Sequence, residues 1–215
     1  MFRPLNALLM SMLLFGCTRG PGGKEPNKAE KRESPAVAVP SRLPKVKLET
    51  SMGNIIVELF PKNAPRTVEN FLRYVDEDRY DGVIFHLVEP GVKIETGAYD
   101  SDMSLRPMLP PIPSESDNAL QNWRGMLAMG RARSSPDGAK GHFFINLKDN
   151  PEFDSDRSEK RIGYTVFGKV VEGMDVADMI GEAATGKRGI HEKVPIEDVI
   201  LISAQRIEEG KKDED

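Results

Sequence analysis

Cysteine is almost missing from this chain. Cys17 is the only one in 215 residues, so a disulfide framework within the chain is excluded. Histidine is scarce as well. His86, His142 and His191 are the full set, and none stands at a metal-ligand spacing such as His-x-x-x-His, so no metal site is expected. Gly125, Gly130, Gly138 and Gly141 lack a following Gly-Lys-Ser/Thr, which argues against a phosphate loop. No Ser/His/Asp order suggests a hydrolase. The apolar run Leu8 to Phe15 is too short to span a bilayer as a helix.

What is present divides by charge. Residues 1–16 carry +1 from Arg3, and residues 18–45 hold seven Lys/Arg against three Glu, a balance of +4. Because the whole chain carries −4, residues 46–215 carry −9. An acidic domain on a basic segment argues against nucleic acid as a partner, since that needs a cationic face on the domain. Hydrophobic content of 39% with 30% charged residues suggests one compact core with polar segments attached.

The first 16 residues read as an export signal: Arg3, a short apolar stretch, then small residues. Leu14-Phe15-Gly16-Cys17 resembles the lipobox of bacterial lipoproteins, which makes Cys17 the expected lipidation site. Two or more acyl chains would anchor the chain stably to a membrane. Residues 17–45 contain Gly20-Pro21-Gly22-Gly23, a Lys/Glu-rich run and then Pro35, Pro40 and Pro44, and are expected to form a disordered tether. The expected location is the bacterial cell envelope, facing the periplasm or the exterior. Residues 208–215 form a charged tail.

Between them the pattern is rich in strands. Val46, Leu48 and Thr50 alternate with polar residues, Ser51 to Asn54 turn, and Ile55, Val57 and Leu59 alternate back. Asn63 to Tyr80 switches to helical spacing, with Pro65 in the first turn and Val68, Phe71, Leu72 and Val75 as the apolar stripe. Strands are predicted at Val83 to Leu87, Met126 to Arg131, Phe143 to Leu147, Tyr164 to Val171 and Val199 to Ile207, with a short helix from Asp175 to Gly181. Met126 and Met129 read as core filler. Pro107, Pro110, Pro111 and Pro113 keep the long intervening segment out of helix and central strand. Many short strands with two helices fit an all-β barrel with helical caps.

Four blocks carry a resemblance. Pro65-Arg66-Thr67-Val68-Glu69-Asn70-Phe71, Val83-Ile84-Phe85-His86, His142-Phe143-Phe144-Ile145-Asn146 and Tyr164-Thr165-Val166-Phe167-Gly168-Lys169-Val170 are similar, in order and spacing, to the cyclophilins of the bacterial branch. The likeness covers roughly residues 46–207. It implies a closed eight-stranded antiparallel β-barrel capped by two helices, with a peptide groove on its outer wall. It also implies peptidyl-prolyl cis-trans isomerisation without a cofactor, acting as a monomer on proline-containing peptides or unfolded exported proteins.

The reaction needs neither nucleophile nor metal. Rotation about an X-Pro bond faces a barrier near 20 kcal/mol because the amide must lose conjugation. A donor to the prolyl nitrogen lowers it, since that interaction strengthens toward the twisted transition state. The family writes Phe-His-Arg where this chain has Phe85-His86-Leu87, and leucine offers no donor. Loss of such a donor costs about 3–4 kcal/mol, so weak turnover is expected and no catalytic residue is assigned. The peptide-binding residues implied by the resemblance are His86, Leu87, Val92, Lys93, Glu95, Gly130, Arg131, His142, Phe144, Phe153 and Tyr164. Glu152 stands where tryptophan is common.

Lys93 and Glu95 admit two readings: a solvated pair on one strand face, or, with His142, a polar site for a different peptide. Arg131 could act as a donor from the opposite wall. The alternative to catalysis is a proline-peptide binding or chaperone module tethered to the envelope.

Overall fold

A computed structural model describes residues 43–132 and 135–207. The export signal, Cys17, all but the last residues of the tether, and the charged tail lie outside the described residues.

The opening hairpin forms as its alternation predicts. β1 (Lys45–Thr50) and β2 (Gly53–Leu59) pair antiparallel, with Val46 opposite Val57 and Leu48 opposite Ile55, all four fully buried. Helix α1 (Pro65–Asp76) is shorter at both ends than the periodic stretch. Pro65 occupies its first turn, where a missing N–H costs nothing. Its stripe of Val68, Phe71, Leu72 and Val75 is buried. Phe71 meets the rings of Tyr80, Phe143 and Phe167 with centroids 5.1–5.3 Å apart, tying helix to sheet.

The run from Val83 splits rather than forming one strand. β3 (Val83–Ile84) pairs with the last strand, and β4 (Leu87–Glu89) pairs with β5 (Lys93–Thr96). Between them the Phe85 N–H donates to Val199 O and the His86 N–H to Glu95 O, so the backbone changes partner within two residues. β6 (Met126–Met129), β7 (Phe143–Asn146) and β8 (Val166–Glu172) follow. Helix α2 (Met174–Gly181) starts one residue before its predicted position. β9 (Thr185–Arg188) and β10 (His191–Pro195) form a separate hairpin, and β11 (Ile200–Arg206) closes the order.

The main sheet is antiparallel with strand order β3-β11-β1-β2-β8-β6-β7-β5-β4, and it curls strongly into a half-barrel. Nine strands are paired in place of the expected eight, because the split run contributes both edges. Among the described residues no helix is long and apolar enough to cross a membrane. One face of the sheet holds the main core, including Val88, Ile94, Leu127 and Ile145. Since side chains alternate across a strand, the neighbours of these residues point to the other face. That outer face carries the site.

Candidate functional site

Cross-strand register builds a continuous row on the outer face. Leu87 stands opposite Glu95, Glu95 opposite Phe144, Phe144 opposite Ala128, and Ala128 opposite Val166. The row therefore runs across β4, β5, β7, β6 and β8. Leu87 is half-buried, and its strand neighbour Val88 is in the core, which directs Leu87 toward the groove.

An aromatic pocket occupies one part of this wall. Phe144, Phe153 and Tyr164 pack mutually edge-on, with centroids 5.2–5.7 Å apart. Ala128 and Val166 complete the buried cluster, and Val92 packs against it. Phe153 is set by a single 3-10 turn, Pro151–Phe153, and the Tyr164 N–H donates to Phe153 O. Three asparagines that are not among the expected site residues brace the floor. Asn150 Nδ2 donates to Asn146 Oδ1 at 2.8 Å and to Val92 O at 3.1 Å, and Asn146 Nδ2 donates to Met126 O and to Asn122 Oδ1. A cavity of about 320 Å³ adjoins the pocket, lined among others by Phe153, Tyr164, Glu152, Arg131, Lys160 and Arg161.

Lys93 and Glu95 are not a solvated pair. They are only 9% and 8% exposed, and Lys93 Nζ lies 2.5 Å from Glu95 Oε2. The same ammonium sits over the Phe144 ring, 4.8 Å from its centroid, and 5.9 Å from that of Phe153. Glu95 Oε1 lies 3.5 Å from His142 Nε2 and 3.9 Å from His86 Nε2. Burial pushes the Glu95 carboxyl up, but Lys93 and the two histidines outweigh it and hold the carboxyl below its usual value. Burial pushes His142 down, against the pull of Glu95, and brings His86 down to about 4. Both imidazoles are therefore neutral at pH 7, leaving one ammonium and one carboxylate as the charges of the cluster.

Gly130 is bound to this arrangement by shape. A Cβ built on it would lie 2.1 Å from His142 Cδ2 and 2.8 Å from Glu95 Oε1, so the imidazole takes the space of a side chain at 130. His86 packs against Tyr99 at 4.8 Å, and Tyr99 against His191 at 4.8 Å. All three histidines thus gather on one wall, and the packing of the β9–β10 hairpin against β4 brings His191 there. Among the described residues no three His, Cys, Asp or Glu side chains could hold a metal ion.

Arg131 is turned toward backbone carbonyls of its own wall. Its guanidinium donates to the carbonyls of Ala132, Ile162 and Gly163 and lies 5.0 Å over the Tyr164 ring. It braces the 162–164 segment that carries Tyr164.

Comparison with known proteins identifies the family of the chain that carries this row and pocket. Residues 45–205 match the family model described as cyclophilin type peptidyl-prolyl cis-trans isomerase/CLD. The chain belongs to the cyclophilin family. A peptidyl-prolyl cis-trans isomerase of Acinetobacter baylyi is 42% identical over 160 residues, which is 74% of this chain and 84% of that one. Peptidyl-prolyl cis-trans isomerase B of Escherichia coli is 43% identical over 159 residues, covering 74% and 96%. The crystal structure of a Cryptosporidium parvum cyclophilin superposes with a TM-score of 0.63 at 21% identity, over 78% of this chain and 99% of that one. The last likeness is one of fold. Relatives of this cyclophilin thus carry the name of the reaction that the four sequence blocks imply.

Proposed function

We propose that this chain is a cyclophilin-type peptidyl-prolyl isomerase of low turnover that assists the folding of exported proteins. The observation that carries this reading is the outer-wall row from Leu87 to Val166 beside the Phe144–Phe153–Tyr164 pocket. An apolar, edge-packed pocket suits a proline ring, and excluding water there strengthens any hydrogen bond to the twisting amide. Low turnover follows from Leu87 standing where the resemblance puts the arginine. A leucine keeps the wall apolar and donates nothing.

The reading includes a closed eight-stranded barrel, with the split run 83–89 counted once, and a monomer working without a cofactor. It also places the chain at the bacterial envelope, held through lipid on Cys17 and facing the periplasm or the exterior. The support for that is the lipobox-like tetrad and the basic, proline-rich tether.

The test is cis/trans exchange of a proline tetrapeptide followed by NMR, with the parent chain and Leu87→Arg. Acceleration by the parent, raised at least about tenfold in kcat/KM by Leu87→Arg, is the expected result. Peptide binding without acceleration would favour the chaperone-like binding module instead. A parent already as fast as an arginine-bearing relative would refute the low-turnover part.

A further inference from the structure

Four residues of the groove wall gather around Glu95. Glu95 touches Lys93 and His142, faces Leu87 across the ladder, and would collide with a Cβ at 130. Each of these four positions is therefore in direct geometric relation to one carboxylate. Independent drift would leave buried charges without partners, which is costly. Here the one ammonium and the one carboxylate that are buried among the described residues are matched.

Lys93 also lies close to the place Leu87 leaves vacant. Leu87 pairs with Glu95 and Glu89 with Lys93, so Leu87 and Lys93 are diagonal neighbours on one face of β4 and β5. Diagonal neighbours on a sheet are within reach of a long side chain. The ammonium is already turned to the pocket, over the Phe144 ring. It has three donor hydrogens, and among the described residues its hydrogen bond goes to Glu95 alone. Donor capacity is thus left on the pocket side.

We infer that Lys93 is the hydrogen-bond donor of this site, held in place by Glu95, and supplies the positive charge that Leu87 cannot. This rests on the isomerase reading above. As the X-Pro bond twists, the prolyl nitrogen lone pair localises and accepts from the Lys93 ammonium; no bond to a side chain forms and no proton changes hands. The charge is compact and shared with a carboxylate, so it stabilises the twisted amide less than a forked guanidinium does. Low turnover and a working donor are then compatible. Glu95 is a positioning residue, and it also keeps the ammonium from binding every passing anion.

The experiment measures exchange kinetics and equilibrium binding of the same proline tetrapeptide for the parent, Lys93→Met, and the Lys93→Met/Glu95→Gln double variant. The double variant removes both charges together and so keeps the fold in case Lys93→Met alone unfolds. The expected result is a fall in kcat of about 10²-fold in the double variant with Kd changed less than about threefold. Adding Leu87→Arg to the double variant restores turnover. A double variant as fast as the parent, or faster because a cation has left the Phe144 face, overturns the assignment of Lys93 while leaving the isomerase reading intact. A parent that binds the peptide and gives no acceleration overturns both.

Discussion

Removing one partner of the Lys93–Glu95 pair is expected to cost far more than removing both. The two groups are nearly buried and 2.5 Å apart. Glu95→Gln leaves the Lys93 ammonium in the wall with the Phe144 and Phe153 rings in place of a carboxylate, and breaking a buried pair in this way costs about 3–5 kcal/mol. Lys93→Met strands the carboxylate instead, but His142 and His86 lie 3.5 and 3.9 Å from it and can offset part of the loss. It should therefore fall at or below the lower end of that range. The double variant leaves no unmatched charge and should stay within about 1 kcal/mol of the parent. The coupling between the sites is then at least about 2 kcal/mol. Urea unfolding at pH 7.5 reads these as midpoint shifts at constant m. An independent signal comes from His142, whose protonation the Lys93 charge opposes, so its NMR titration should move upward in Lys93→Met. Two single variants whose losses simply add in the double would refute the reasoning, because the pair would then not be acting as one unit.

Acid should weaken the fold before its carboxylates titrate. His86 titrates at about 4 in the folded chain against an ordinary 6.5, so between those values the unfolded chain binds a proton that the native one refuses. Its contribution is intact above pH 6.5 and is lost as pH falls toward 4, by about 3 kcal/mol. His142 acts in the same direction. His86→Phe should flatten that limb of a stability–pH curve, and parallel curves for parent and variant would count against it. At Gly130, alanine should cost about 1–3 kcal/mol by displacing the His142 ring, with His142→Ala in the same chain recovering most of it. Unchanged His142 resonances in Gly130→Ala would contradict the proposed contact.

The elements that were legible in the sequence are those whose apolar period matches their surroundings. Val46 to Leu59 alternates because one face of its hairpin is in the core, and Val68 to Val75 repeats at helical spacing for the same reason. Thr185–Arg188 and His191–Pro195 escaped notice because they pair with each other and largely lack an apolar alternation. The split at Phe85–His86 was invisible because both halves are apolar, and only the choice of partner, β11 or β5, separates them. For the site, the aromatic residues could be named from their motifs. Lys93 and Glu95 suggested a wet strand face because alternate charges usually do. Burial was decided by what lies across the ladder and in neighbouring segments, Phe144, Phe153 and His142, and none of those is close in sequence.

Under the proposed function, this domain would meet many extended segments looking for a strand to join. The two ends of the main ladder offer them little, for β3 is two residues long and β4 three. Neither provides the long, flat row of open amides and carbonyls on which cross-chain pairing propagates. Spending one seven-residue run on both margins thus leaves the main sheet little open edge for strand addition.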